Sequence, residues 1–111
     1  MEIKEEKLKD VHLIEVSGRL DAATSGEFEK AVMARIDEGE TRILFDLSAL
    51  VYVSSAGLRV FLVTAKRLTR QSGKMALCCL QDHVKEVFEI SGFTSILSIF
   101  PNRDSAIDAL K

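Results

Sequence analysis

A buried-strand pattern that runs directly into a one-sided helix, between Asp46 and Arg70 (DLSALVYVSSAGLRVFLVTAKRLTR), limits the folds open to this chain more than any other feature. Val51-Tyr52-Val53 reads as the strand. Leu58, Phe61, Leu62, Ala65 and Leu68 then recur at i, i+3, i+4, i+7 and i+10, the spacing that lines up side chains on one face of an α-helix. Between strand and helix lies an elbow of small residues, Ser54-Ser55-Ala56-Gly57. It puts two hydroxyls at a helix N-terminus, where the first backbone N–H groups have no partner inside the helix. The opposite helix face carries Arg59, Lys66, Arg67 and Arg70, and cations toward a helix C-terminus suit its dipole, so this reads as a solvated basic face.

The remaining segments repeat the alternation. Ile3–Lys7 and Val11–Ser17 read as strands of a hairpin turning at Lys9-Asp10, and Val11, Leu13, Ile14 and Val16 are apolar on both parities, as in a strand covered on both faces. Gly18 interrupts this strand before Arg19-Leu20-Asp21. Phe28, Ala31, Val32 and Ile36 form one stripe of a helix over Ala23–Glu38, which Gly39 ends. Thr24 or Ser25 can cap this helix, with Glu27 as a capping-box partner of Thr24, and Asp21 is an alternative cap. Thr41–Leu47 reads as a buried strand whose Asp46 either faces solvent at the strand end or bonds to Ser48.

Beyond the elbow helix, closed by Ser72-Gly73, Met75–Leu80 reads as a strand. Asp82 caps a helix lined by Val84, Val87 and Phe88 and ended by Gly92. Ile96–Phe100 is a last strand, and Asn102 caps a terminal helix with Ala106, Ile107 and Leu110 facing inward. The order ββαβαβαβα predicts an α/β fold with parallel pairing through right-handed crossovers and an antiparallel opening hairpin. A chain of 111 residues builds one core, so residues 1–111 form one domain.

Charge and composition remove several classes of function. A net charge of -2 lacks the excess of Lys and Arg that binding to a phosphate backbone needs, so nucleic acid is not an expected partner. The charged opening Met-Glu-Ile-Lys-Glu-Glu-Lys has no apolar h-region, and no apolar run reaches the roughly 20 residues of a membrane span. A cytoplasmic protein is expected. Cys78 and Cys79 are adjacent in an apolar run, so in a strand they point to opposite faces and read as structural thiols. A metal site would need further ligands at matched spacing, and only His12 and His83 supply imidazoles, so neither a metal nor a cofactor is expected.

Enzyme constellations are absent. There is no Gly-x-x-x-x-Gly-Lys-Ser/Thr, no Gly-x-Gly-x-x-Gly after a strand, and no glycine pattern of a nucleophile elbow around Ser55. A serine nucleophile needs a base, and neither His12 in a strand nor His83 at a helix start is marked by the sequence as reaching the elbow. A phosphorelay receiver would need an acidic cluster, and Asp46 alone does not make one. An enzyme using Cys78 or Cys79 would require an exposed, activated thiol.

The run Asp46-Leu47-Ser48-Ala49-Leu50-Val51-Tyr52-Val53-Ser54-Ser55-Ala56-Gly57-Leu58-Arg59, with Gly18-Arg19-Leu20-Asp21 upstream, resembles the STAS domain of bacterial anti-sigma factor antagonists. The resemblance covers nearly the whole chain in order and length. It implies a four- or five-stranded mixed sheet with helices largely on one side, and a switch protein with no catalytic activity. It further implies two partners. One is an anti-sigma factor with a GHKL-type serine kinase fold, which binds the unphosphorylated antagonist, frees its sigma factor, and uses ATP and Mg²⁺ to phosphorylate the antagonist. The other is a metal-dependent serine phosphatase that removes the mark.

The acceptor implied by the family position, two residues before the Gly-Leu pair, is Ser55, and the resemblance matches Asp21 to a partner contact. Small residues at Ser54, Ala56 and Gly57 would let a partner approach the backbone, with Arg59 on the next turn at the rim, and Gly57 reads equally as a packing requirement of the helix start. Relative to the form Asp-Ser-Ser-Gly-Leu, this chain has Ser54 in place of Asp and Ala56 in place of the second Ser. Ser54 is therefore a second hydroxyl beside the assigned one. A STAS-like subunit of a transporter or scaffold assembly that is never phosphorylated is the alternative reading.

Overall fold

The computed structural model describes the whole chain, Met1–Lys111. Its elements are β1 (Glu2–Leu8), β2 (Val11–Leu20), α1 (Ser25–Asp37), β3 (Arg42–Asp46), β4 (Leu50–Val53), α2 (Ser55–Arg70), β5 (Lys74–Cys78), α3 (Asp82–Ile90), a 3-10 turn (Phe93–Ser95), β6 (Ile99–Phe100) and α4 (Arg103–Leu110). β1 and β2 pair antiparallel across the Lys9-Asp10 turn, in which Lys9 adopts a left-handed φ of 54°. The sheet runs β1-β2-β3-β5-β6, with every pair after the first parallel.

The expected order holds with one addition. The sheet has six strands, not four or five, because Leu50–Val53 is a separate strand that pairs with the far end of β2. Gly18 does not end β2. It takes a φ of +85° at a register shift, donates to the Ala49 carbonyl at 2.9 Å, and lets Arg19 and Leu20 go on to pair with Tyr52 and Val53. A glycine bulge bends a strand while keeping it in the sheet, so an interruption in the sequence becomes a continuation in space. The last strand is correspondingly shorter than expected, since Phe93–Ser95 coils before Ile99.

Three helices cover one face of the sheet and one covers the other. Ile14, Val16, Ile43, Phe45 and Leu77 face α1, α2 and α3, while Val11, Leu13, Leu44, Ala76 and Cys78 face Ala106 and Leu110 of α4. The alternation along β2 and β3 is the both-parity apolar pattern expressed as two cores. At the centre of the larger core Phe61 of α2 meets Phe28, Phe45 and Phe88 with ring centroids 5.2–5.6 Å apart, in tilted and edge-on arrangements. These four rings come from α1, β3, α2 and α3, so they fix the seating of α2 on the sheet.

Chain turns follow the expected chemistry in part. Gly39 (φ 101°) and Gly92 (φ 78°) take left-handed conformations after their helices, and Asn102 Oδ1 caps α4 by accepting from the Ser105 N–H at 2.9 Å. After α2 the left-handed residue is Ser72 (φ 58°), and Gly73 is required by space: a Cβ there would lie 2.6 Å from the Thr41 carbonyl oxygen. Asp82 does not cap α3. Gln81 occupies the cap position and spends its amide on the Ser48 carbonyl at 2.9 Å.

Candidate functional site

The elbow is held by backbone first. The Ser54 N–H donates to the Leu20 carbonyl at 2.9 Å, which ties the end of β4 to the end of β2 and brings the Gly18–Asp21 segment beside the start of α2. Ser54 is extended (φ -95°, ψ 175°), its carbonyl accepts the first helical bond from the Leu58 N–H at 2.9 Å, and its Oγ accepts from the Gly57 N–H at 3.3 Å. Ser54 is thus the N-cap, and its hydroxyl is committed to the helix.

Ser55 is the first residue of α2 and is exposed. With Gly57 capped and Leu58 bonded within the helix, the N–H groups of Ser55 and Ala56 are the ones left pointing outward. The two serines, equivalent in sequence, have different tasks here: one is structural and the other is free at the positive end of a 16-residue helix.

Around them the expected partner residues divide. Ala56 is half-buried, and Arg59 is exposed one turn on. Gly57, read either as a place where a partner approaches the backbone or as a packing requirement of the helix start, is buried: a Cβ there would lie 2.8 Å from Leu20 Cγ and 2.9 Å from the Leu20 carbonyl oxygen. Its role is to let α2 start against the end of β2. Asp21 follows Leu20 in the Gly18–Asp21 segment and orders the turn that leads into α1, whose N-cap position is Thr24 with no side-chain cap. Its Oδ1 accepts from the Ala23 and Thr24 N–H groups at 3.0 and 3.2 Å, and its own N–H donates to Thr24 Oγ1 at 2.9 Å. The Thr24–Glu27 capping box does not form, since the Thr24 hydroxyl donates back to the Arg19 carbonyl at 3.0 Å.

Three surface residues beside the elbow, Arg19, Val51 and Tyr52, were not among the candidate site residues. The Arg19 guanidinium lies 4.1 Å from the centre of the Tyr52 ring, and Tyr52 and Val51 are 40% and 46% exposed on β4 immediately before the elbow. An apolar pair exposed on a strand whose other two residues, Leu50 and Val53, are buried was the only available signal. His83 donates to β4 rather than to a serine, with Nε2 2.7 Å from the Val51 carbonyl oxygen. His12 stands between carboxylates, Nε2 2.7 Å from Glu5 and Nδ1 3.2 Å from Glu40. Neither imidazole is bonded to Ser55.

A second polar cluster lies on the α4 face of the sheet. Glu15, Asp46, Cys78 and Phe100 are register partners in one row across β2, β3, β5 and β6. Arg103 reaches over this row from α4, with Nε 2.6 Å from Asp46 Oδ2 and a second nitrogen on Glu15, while the Ser48 N–H donates to Asp46 Oδ1 at 2.9 Å. Burial pushes the Asp46 carboxyl up, but the Ser48 and Arg103 hydrogen bonds together outweigh it and hold the group below the ordinary carboxylate range. Burial, reinforced by Cys79, pushes the Cys78 thiol well up. The two cysteines do not point to opposite faces. Cys79 lies past the end of β5 with a left-handed φ of 66°, and both sulfurs lie within 4.8 Å of each other and of an Asp46 carboxylate oxygen.

Comparison with known proteins gives one consistent result. A family model described as the STAS domain matches residues 2–106. A candidate anti-sigma factor antagonist of Bordetella bronchiseptica, BtrV, is 40% identical over 111 residues, covering 100% of this chain and 96% of that protein. The structure of an anti-sigma factor antagonist from Mycobacterium paratuberculosis superposes with a TM-score of 0.90 at 23% identity, over 98% of this chain and 92% of that one. The Bacillus cell fate determinant SpoIIAA in its phosphorylated form superposes with a TM-score of 0.75 at 20% identity, over 99% of this chain and 100% of that one. No helix is long and apolar enough to cross a membrane.

Proposed function

From the premise that this chain belongs to the STAS domain family, we propose that it is an anti-sigma factor antagonist whose docking surface is switched by phosphorylation of Ser55. The observation that carries this reading is the division of labour at the elbow, where Ser54 caps α2 and leaves the Ser55 hydroxyl exposed beside two uncapped N–H groups. In its unphosphorylated form the protein binds an anti-sigma factor that is also a serine kinase of the GHKL type, and so releases the sigma factor. A metal-dependent serine phosphatase restores the binding form. The protein contributes recognition and no chemistry of its own, and it acts in the cytoplasm.

The physics of the switch is local. A phosphate on Ser55 brings about -1.5 to -2 charges at pH 7 to a domain whose net charge is -2. The helix start can hold that charge without refolding, through its dipole and the N–H groups of Ser55 and Ala56. A partner seated on the elbow meets it directly, and burying a doubly charged group without a matching cation is strongly unfavourable. Val51 and Tyr52, exposed beside the elbow, supply apolar contact for the unmodified state, with Arg19, Arg59 and Asp21 at the rim.

Phosphorylation by the partner kinase with ATP and Mg²⁺, followed by mass mapping, tests the assignment. One phosphate on Ser55, absent from Ser55→Ala and present on Ser54→Ala, is the expected outcome. A phosphate that survives Ser55→Ala overturns the acceptor assignment. Calorimetry with Ser55→Asp separates the charge mechanism from the acceptor itself: affinity for the kinase falls, and an unchanged affinity with an intact fold rejects the electrostatic switch.

A further inference from the structure

Cys78 and Cys79 lacked a third ligand in the sequence, and the fold supplies one. Asp46 precedes Cys78 by 32 positions but is its register partner in the parallel pair β3–β5, so the two side chains stand side by side on the α4 face. Adjacent strands are about 4.8 Å apart, which is the separation at which two such side chains share a small ion. The left-handed turn at Cys79 brings the second sulfur back to the same place. We propose that Asp46, Cys78 and Cys79 form a binding site for one thiophilic divalent cation of the zinc class.

Ligand type, support and charge all suit this. The three ligand atoms lie within 4.8 Å of one another, close enough for a single ion to draw them in. Two sulfurs select zinc-like ions over magnesium or calcium, which prefer all-oxygen shells. Three protein ligands leave a fourth tetrahedral position for water, and Cys79, half-buried while Asp46 and Cys78 are buried, provides the open side. The carboxylate is already oriented by the Ser48 N–H on one oxygen and Arg103 on the other, the kind of outer hydrogen bonding that holds metal-bound carboxylates. Two thiolates, Asp46 and Glu15 carry four negative charges against three positive ones from the divalent ion and Arg103, so the ion offsets most of the charge and the occupied cluster keeps one net negative. Binding releases the two thiol protons to solvent. It requires nothing of Ser55.

The test is a titration of the reduced protein with Cd²⁺ in a non-thiol reductant, read by sulfur-to-metal charge-transfer absorption in the ultraviolet. One equivalent is bound, Zn²⁺ displaces it, and a large excess of Mg²⁺ does not. Cys79→Ser loses the band. Arg103→Gln, which removes an outer partner of the carboxylate, weakens binding roughly 10–100-fold, and Asp46→Asn weakens it at least as much. Absence of the band, its persistence in Cys79→Ser, or an unchanged affinity in Arg103→Gln overturns the site. If Asp46→Asn does not fold, Cys79→Ser and Arg103→Gln still decide, because both alter side chains that are only partly buried.

Discussion

Arg103, the first residue of α4, places its Nε 2.6 Å from Oδ2 of Asp46, 57 residues earlier at the end of β3. This bond and its companion to Glu15 pin the terminal helix to two strands. Asp46 is only 5% exposed, so loss of its cation leaves a buried charge whose remaining support is the Ser48 N–H. Because the Arg103 side chain is itself 41% exposed, solvent screens part of the pair. Arg103→Ala is expected to cost about 1–2 kcal/mol in urea denaturation; a loss below about 0.5 kcal/mol would show that water replaces the guanidinium.

The same pair sets an acid dependence. The folded Asp46 carboxyl is held below its unfolded value, so its ionised form adds stability that is fully present above the unfolded carboxylate pKa and is lost as pH falls through the folded one. The stability gap between wild type and Asp46→Asn is therefore constant near neutrality and closes below about pH 4. A gap that widens on acidification reverses the assigned sign.

Ser54 and Ser55 differ in what their hydroxyls do for the fold, and equilibrium unfolding reads the difference. Ser54→Ala removes the cap on Gly57 and costs about 1 kcal/mol. Ser55→Ala removes an exposed hydroxyl that caps nothing and stays within about 0.5 kcal/mol of wild type. Equal losses in the two variants would contradict the division of roles described for the elbow.

Gly57→Ala tests the seating of α2. The added methyl meets Leu20 and Val53 side chains at 2.8 and 3.0 Å, and the Leu20 carbonyl at 2.9 Å, where backbone cannot rotate away. A cost of about 1–3 kcal/mol is expected from such overpacking, measured as a lower urea midpoint at unchanged slope. Gly26→Ala, with nothing within 4 Å of the new Cβ, is the matched control and is neutral or stabilising.

Much of the architecture was legible because its signals are local. The stripe Leu58-Phe61-Leu68, the both-parity run in β2, the glycine stops at Gly39 and Gly92 and the cap at Asn102 each depend on residues within a turn or two of each other. Periodicity reports which faces are dry, and caps report where a helix ends, whatever the rest of the chain does. The candidate site was legible as a small-residue elbow with a hydroxyl at a helix start, and the family resemblance nominated Ser55 there.

What tertiary structure alone decided are the relationships between residues far apart in sequence. The sixth strand exists because a bulge at Gly18 lets β2 continue into pairing with β4. The hydroxyl of Ser54 is taken and that of Ser55 is not, which depends on Ser54 being anchored to the Leu20 carbonyl, 34 residues back in the chain. Asp46 finds Arg103 and Cys78 only through strand register and the return of α4 over the sheet. Register and ion pairing are non-local. Sequence spacing names the residues able to take part, and only the closed fold chooses among them.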